Sequence, residues 1–312
     1  TMWEANATKY DLEAARLALI NSVVDAYFEA KYQKESINLY EKTLKNYEEL
    51  EAIIKAKFEL GKEEELSLKQ VKSSVISAKN RILNASKSLD AAEKTLRNLL
   101  NVRPEFELNL SGNLSDISPQ GVNLNVPVSV IANRPDVKGY QYRLSSAFKN
   151  AKATEKGWFP EVTLGGSLTS RGTKVGNALH NPVGTGLIGI SLPFLNWNTV
   201  KWNVKISEAD YETARLNYEQ SITKALNDVD TNYFAYTQAQ SAFANLQKTH
   251  SYNQRITKYY RDRYNAGVSE LREWLAAANT EKSSQLSILN AKYNIIQAEN
   301  AVYSSMAGYY SR

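Results

Sequence analysis

Few side chains of this 312-residue chain could perform catalysis or bind a metal ion. The chain has no cysteine, which excludes a disulfide framework, a thiolate zinc site and a cysteine nucleophile. Its two histidines, His180 and His250, lie far apart, and no Ser/His/Asp order, glycine-rich phosphate loop or cluster of metal ligands accompanies them. The sequence therefore predicts no enzyme, no cofactor and no metal site. The formal charge of +5 has no basic block, so nucleic-acid binding is not predicted either.

Proline and glycine, which interrupt helices, are concentrated in the middle of the chain. All seven prolines lie within residues 101–196, and outside this segment the only glycines before the C-terminal end are Gly61 and Gly267. The flanking arms, about 1–100 and 197–312, are far longer than an average helix. One internal glycine in each arm predicts two long helical hairpins. No apolar stretch approaches the length of a transmembrane helix.

Apolar residues in both arms recur in steps of three and four, the heptad pattern of a coiled coil. The longest run follows Gly61, a weaker stripe interrupted by Glu51 precedes it, and a third run lies near the C-terminus. The stripe comprises Ile37, Tyr40, Leu44, Tyr47, Ile54 and Phe58, the long run Leu68, Val71, Val75, Ala78, Ile82, Ala85, Leu89, Ala92, Leu96 and Leu99, and the third run Ile288, Ala291, Ile295, Ala298 and Val302.

The two arms are related as an internal repeat. Trp3 matches Trp202 at an offset of 199 residues, whereas Gly61 matches Gly267 at an offset of 206. The difference of seven is one heptad, so the second arm is two turns longer without losing phase. Residues of about 133–199 precede Trp202, but almost nothing precedes Trp3. The repeat therefore predicts that about 70 residues are missing at the N-terminus.

The middle segment predicts a linker, a helix and two strands. Asn133–Asp136 suits a helix start, because proline fits the first turn and aspartate favours the helix N-terminus. Residues 161–169 and 188–194, joined by a polar loop at 171–177, alternate apolar with small or polar side chains. This pattern is typical of a half-buried strand, or of a strand with lipid on one side and water on the other. Periodicity alone does not separate these two alternatives.

Five short motifs resemble the TolC/OprM family of outer-membrane efflux channels, and the resemblance covers essentially the whole chain. Each motif is short, but their order and spacing together are specific. They are the helix start Asn133–Val137, the strand Trp158–Leu164, the strand end Leu192–Leu195, and the two hairpin tips Lys57–Gly61 and Arg263–Gly267.

The resemblance implies a mostly α-helical homotrimer. Its long antiparallel coiled-coil hairpins form an α-barrel through the periplasm, and its strands contribute to a twelve-stranded β-barrel in the outer membrane. On this view the chain comprises a first helical hairpin (1–100), an equatorial linker (101–132), a helix of the second repeat (133–157), a membrane strand pair (158–196) and a second helical hairpin (197–312).

The function that the resemblance implies is a passive exit duct of a tripartite efflux system, in the outer membrane of a Gram-negative bacterium. Its expected partners are two further copies of the chain, a periplasmic adaptor protein, an inner-membrane pump that supplies the energy, and outer-membrane lipid. The cargo would be small molecules such as drugs. The alternatives are a channel of the same fold for type I protein secretion and a soluble coiled-coil scaffold.

The two hairpin tips are the most specific candidate sites. Gly61 and Gly267 suit helix C-caps in tight turns, which is a structural role. The resemblance adds that the tips contact the adaptor protein, through Lys57 and Gly61 on the first hairpin and Arg263 and Gly267 on the second.

The resemblance also implies a gate around the second tip, at Tyr264 and Glu273. Glu273 keeps the charge of the first gating aspartate of the family, and three copies would form an acidic ring that favours cations. The alternative is an exposed glutamate on a helix surface. Ala276 and Ser269 depart from the aspartate and arginine of the family's gate, so the closure mechanism is open.

Overall fold

The computed structural model describes residues 2–119, 121–122, 128–170 and 182–307. Within these ranges no helix carries an apolar stretch long enough to cross a bilayer. The predicted loop at 171–177 lies outside the described residues.

The predicted mostly helical fold with one strand pair is confirmed. The elements are α1 (Met2–Glu59), α2 (Glu65–Leu100), α3 (Val128–Ala132), α4 (Pro135–Glu155), β1 (Glu161–Ser170), β2 (Pro182–Ser191), α5 (Trp197–Asn265) and α6 (Leu271–Ser305).

The chain divides into two compact units, and each unit takes residues from both arms. The first unit consists of Thr1–Leu12 and Pro135–Lys224. The second consists of Glu13–Arg134 and Ala225–Arg312, and it contains both predicted hairpin tips.

The heptad run on α2 forms the buried stripe of the second unit, as predicted. Seven of its ten positions are buried, and the other three are partly buried. Val71 is completely buried in a cluster with Ile54 of α1 and Leu275 of α6. The stripe thus joins the two hairpins as well as the two limbs of the first.

The stripe predicted on α1 is correct at Tyr47 and Ile54, which are buried, and wrong at Phe58, which is 39% exposed. Leu50, which the prediction omitted, is buried in the same cluster. Because Tyr47, Leu50 and Ile54 continue the steps of three and four, the stripe runs past Glu51 without interruption.

Helix α6 is buried on more than one face. Ile295 and Val302 of the predicted run pack with Tyr236 of α5, whereas Leu289 and Tyr293 pack with Leu114 of the linker. A helix with neighbours on several sides carries apolar residues beyond a single seam. The single heptad run therefore underestimated the contacts of α6.

The linker is fixed to α1 by polar contacts that periodicity does not reveal. Lys31 Nζ donates to the carbonyl of Ser111 at 2.8 Å, and the backbone N–H of Leu114 donates to the Glu35 carboxylate at 2.7 Å. The Leu114 side chain is completely buried. Within the predicted linker 101–132, residues Val128–Ala132 form the short helix α3.

Arg134 connects the end of the linker to both helices of the second hairpin. Its guanidinium is buried and donates to the Asp228 carboxylate of α5 at 3.1 Å and to the Ser305 carbonyl of α6 at 3.1 Å. A cation at the C-terminal end of a helix such as α6 is favoured by the helix dipole. Helix α4 then begins at Pro135, where the sequence predicted a helix start.

In the first unit, α4 approaches the start of α1 closely. A Cβ atom at Gly139 would lie 3.1 Å from Asp11 Oδ1 and 3.8 Å from the carbonyl of Ala7. Arg143 of α4 forms an ion pair with Asp11, and Tyr142 stacks on Tyr10 with ring centroids 5.3 Å apart. The missing side chain at Gly139 thus makes room for the ion pair.

Strands β1 and β2 pair antiparallel and bring the predicted apolar positions to one face. Val162 lies opposite Ile190 and Leu164 lies opposite Ile188. These four side chains are between 61% and 77% exposed. The second strand ends at Ser191, so its predicted extension to residue 194 is wrong. Residues Pro193–Asn196 form a 3₁₀ turn, because proline has no N–H for a strand ladder.

The neighbouring residues Ile53 and Ile54 test the buried stripe with the same chemical change. Ile54→Ala should lower the free energy of unfolding by about 2–4 kcal/mol, since the side chain is completely buried. Ile53→Ala should cost about 1 kcal/mol or less, because Ile53 is 54% exposed. Thermal and denaturant unfolding followed by circular dichroism measures both. Equal losses in the two variants would contradict the assigned stripe.

Candidate functional site: the two hairpin turns

Both hairpins of the second unit end in the same type of glycine turn. Gly61 and Gly267 have φ angles of 67° and 74°, a left-handed conformation that side-chain-bearing residues rarely adopt. In each turn the glycine N–H donates to the carbonyl three residues back, and the next N–H donates to the carbonyl five residues back, at 2.8–3.0 Å. These are Schellman caps, which satisfy the last carbonyls of α1 and α5.

Tyr264 joins the two turns. Its hydroxyl donates to the carboxylate of Glu63 just after the first turn, and it accepts a hydrogen bond from Lys57 Nζ at 3.1 Å. The Lys57 ammonium also lies 4.5 Å from the centroid of the Tyr264 ring, within cation–π distance. The ring is 9% exposed and packs against Trp274, with centroids 5.5 Å apart. One tyrosine therefore connects the last turn of α1, the first turn region and α6.

The electrostatics keep this tyrosine protonated. Burial is the larger cause, and the hydrogen bond to Glu63 and the charge of its carboxylate add to it; together they raise the pKa of Tyr264 above its ordinary value. The hydroxyl consequently remains protonated, and therefore a donor to Glu63, at neutral pH. The space around it is a polar cleft of about 660 Å³ between the turns, lined by both glycines and by Lys57, Glu63 and Tyr264.

The predicted contact residue Arg263 is bound within its own hairpin. Its guanidinium donates to the carbonyl of Val268 at 3.1 Å and to the hydroxyl of Tyr259 at 3.2 Å. Arg263 therefore stabilises the second turn within its own hairpin. Lys57 of the first hairpin, in contrast, contacts Tyr264 of the second.

The predicted gate residues Tyr264 and Glu273 do not contact each other through any hydrogen bond of the described residues. Glu273 is exposed in the first turn of α6, where its carboxylate accepts a hydrogen bond from the Ser269 hydroxyl. Ala276 is exposed on the next turn. Ser269 thus holds Glu273 at the start of its own helix, where the dipole favours a negative charge.

Sequence reasoning missed Glu63 and Trp274, the two residues that complete the surroundings of Tyr264. The internal repeat contained a signal for Glu63, because the offset of 206 places it opposite Ser269 in the second turn. No pattern indicated Trp274, since its contact with the Tyr264 ring depends on how α6 packs against α5.

The described fold and turns agree with one protein family. The family model for outer membrane efflux proteins matches residues 1–102 and 126–308. The chain belongs to this family. The predicted resemblance is confirmed, and the outer membrane efflux proteins are channels of the outer membrane, not enzymes.

Two relatives of this outer membrane efflux protein are similar over almost its whole length. A protein of Haemophilus influenzae with no described function is 64% identical, and the toxin and drug export protein A of Aggregatibacter actinomycetemcomitans is 61% identical. Each match covers 99% of this chain and 68% of the relative. The solved structure of the outer-membrane channel OprN has a TM-score of 0.86 at 20% identity, covering 98% of this chain and 69% of OprN. That likeness shows the fold.

Tyr264→Phe tests the junction between the turns. The variant keeps the ring but leaves Lys57 and Glu63 without their shared partner, so we expect a loss of about 1 kcal/mol in unfolding free energy. Amide hydrogen exchange should also increase in both turns. Tyr252→Phe is the matched control, because its ring is 59% exposed and its distance from the turns along α5 should leave either quantity little changed. Identical behaviour of the two variants would refute the junction.

Gly267→Ala tests the left-handed turn. A Cβ atom at Gly267 meets no atom within 4 Å, so the cost comes from the φ angle of 74° alone. We expect a loss of about 1 kcal/mol in thermal unfolding, and a similar loss for Gly61→Ala. Gly157→Ala has equal space but no left-handed φ, and it should be neutral or slightly stabilising. A neutral Gly267→Ala would contradict the assigned cap.

Proposed function

We propose that this chain is one subunit of a homotrimeric outer-membrane duct through which a tripartite system exports small molecules. The outer membrane efflux protein family normally works with an adaptor protein and an inner-membrane pump. In this proposal the strand pair within 158–196 joins a twelve-stranded β-barrel in lipid. The hairpins within 1–100 and 197–312 form the periplasmic part, around a passive path for the cargo.

The observation that carries the proposal is the junction of the two hairpin turns. The turns of a single chain lie together and are joined through Tyr264, with Lys57 and Glu63 as its polar partners. A contact of one hydroxyl with two partly exposed charged groups is weak enough to break when a partner protein binds. We infer that Tyr264 holds the duct closed and that the adaptor, contacting Lys57, Gly61, Arg263 and Gly267, separates the turns.

A second copy of the chain is supported by an uncovered row on α2. Ile76 and Leu83 are 60% and 67% exposed and share one heptad phase away from the buried stripe, and Leu66, 60% exposed, lies on a neighbouring phase. Coiled-coil helices with two apolar rows have two helical neighbours. The exposed apolar face of β1 and β2 likewise needs further strands and lipid, because a lone hairpin is not stable in water. In a trimer, three copies of Glu273 form an acidic ring at the entrance.

The name of one relative supports a second cargo. The relative that is 61% identical is a toxin and drug export protein. Drugs agree with the small-molecule duct, and the toxin supports the second candidate, a channel of the same fold that secretes a protein toxin. Both candidates use the same duct and the same turns.

Single-channel conductance of the full-length protein in planar bilayers tests the duct. We expect outer-membrane fractionation, trimers in detergent and low conductance that increases several-fold in Tyr264→Phe. Tyr252→Phe should keep the low value. Export by cells lacking their own channel then separates the candidates, since restored drug resistance without toxin release supports the first and toxin release supports the second. A protein that stays in the soluble fraction and never conducts would be the coiled-coil scaffold instead.

A further inference from the structure

Exposed aromatic side chains lie at the end of the strand pair where β1 begins and β2 ends. Two 3₁₀ turns, Lys156–Trp158 and Pro193–Asn196, flank this end and contact each other. Phe159 and Trp197, which directly follow the two turns, are 70% and 53% exposed. A large exposed apolar surface marks a contact with a membrane or with another protein.

The exposed apolar face of the strands borders on these rings. Val162 and Ile190, the first apolar pair of the ladder, lie next to this end. Among the described strand residues, Glu161 is the only one with a charged side chain. Along the strand pair, an uncharged apolar surface is therefore followed by aromatic rings. A membrane-spanning strand meets hydrocarbon and then headgroups in the same order, because tryptophan rings collect at the boundary between the two.

Two lysines follow on the first turns of α5, each beside a tryptophan. Lys201 Nζ lies 5.1 Å from the centroid of the Trp197 ring, and Lys205 Nζ lies 5.2 Å from that of Trp202. At 3.6 residues per turn these four side chains span about 140° of the helix surface, and the buried Val200 lies outside that arc. Neither lysine forms an ion pair within the described residues. The four residues form the Trp/Lys surface.

The charges at this end of the strand pair are mainly positive. The first eleven residues of α5 contain the two lysines of the Trp/Lys surface and no acidic side chain. In the described residues between 152 and 196, Lys152 pairs with Glu155 at 2.9 Å, which leaves the exposed Lys156 and Glu161. Three ammonium groups thus stand against one carboxylate. This excess favours a ligand with a net negative charge.

We propose that the Trp/Lys surface binds the headgroups of anionic phospholipids in the leaflet that faces the periplasm. This binding depends on the proposed function, because only a strand pair in the membrane brings the first turns of α5 to the headgroups. The tryptophan rings lie at the edge of the hydrocarbon layer, and the long lysine side chains reach from there to the phosphates. A headgroup with a net negative charge is preferred over a zwitterionic one, because it offsets the excess of ammonium groups.

Brominated phospholipids test this site, because a bromine atom quenches tryptophan fluorescence only near contact. The full-length protein is reconstituted in vesicles of phosphatidylcholine and phosphatidylglycerol, with bromine on the chains of one lipid or the other. At low salt the quenched tryptophans should prefer phosphatidylglycerol by about fivefold or more. Lys201→Gln with Lys205→Gln should lower this ratio by about threefold or more. Lys224→Gln with Lys248→Gln, which changes two exposed lysines further along α5, is the matched control and should keep the ratio of the parent.

Equal quenching by the two lipids in the parent, or equal ratios in the two double variants, would overturn the proposal. Trp197→Phe with Trp202→Phe should reduce the emission that lipid quenches, and undiminished quenching would place the lipid contact elsewhere. Conductance of the same vesicles measures the duct separately. Conduction without any quenching would mean that another copy of the chain covers the surface, so the lipid site would be wrong and the duct right. The expected lipid preference without conduction would support the lipid site and contradict the duct.

Discussion

Buried apolar stripes along the long helices, narrow on α2 and wider on α6, hold the second unit together. Val71, Ile54 and Val302 are completely buried, while polar side chains cover most of the remaining surface of their helices. Steps of three and four keep such a stripe on one side of the helix over many turns. The small residues Ala78 and Ala85 within it let the helices approach closely. The positions of the turns, the linker and Tyr264 all depend on the register that this stripe fixes.

The buried positions of the regular helices and strands can be predicted from the sequence, because burial repeats with the period of the element. The α2 run predicted the buried side of that helix from Leu68 to Leu96, and alternation in the strands predicted their apolar positions, such as Val162 and Ile190, which the pairing places opposite each other. The stripe on α1 was predicted with an interruption at Glu51, although the omitted Leu50 continues the buried residues from Tyr47 to Ile54. The polar attachment of Ser111 to Lys31 has no period at all, so no pattern could have revealed it.

The candidate site was predictable where backbone geometry restricts the residue type. A left-handed φ favours glycine at the end of a helix, so Gly61 and Gly267 were identified from their positions alone. The partners of Tyr264 were not, because Glu63 belongs to the other hairpin and its contact depends on tertiary packing. The contact of Trp274 with the Tyr264 ring likewise depends on how α6 packs, so it was not predicted.

The two glycine turns have the same backbone conformation but carry different side chains. The offset of 206 pairs Lys57 with Arg263, the exposed Phe58 with the buried Tyr264, and Glu63 with Ser269. A ring of three such chains would present six turns of nearly equal geometry that alternate between two kinds of chemistry. Its symmetry would be pseudo-sixfold in shape and only threefold in charge. A partner that covers all six turns must therefore either come in two forms or use one surface in two different ways.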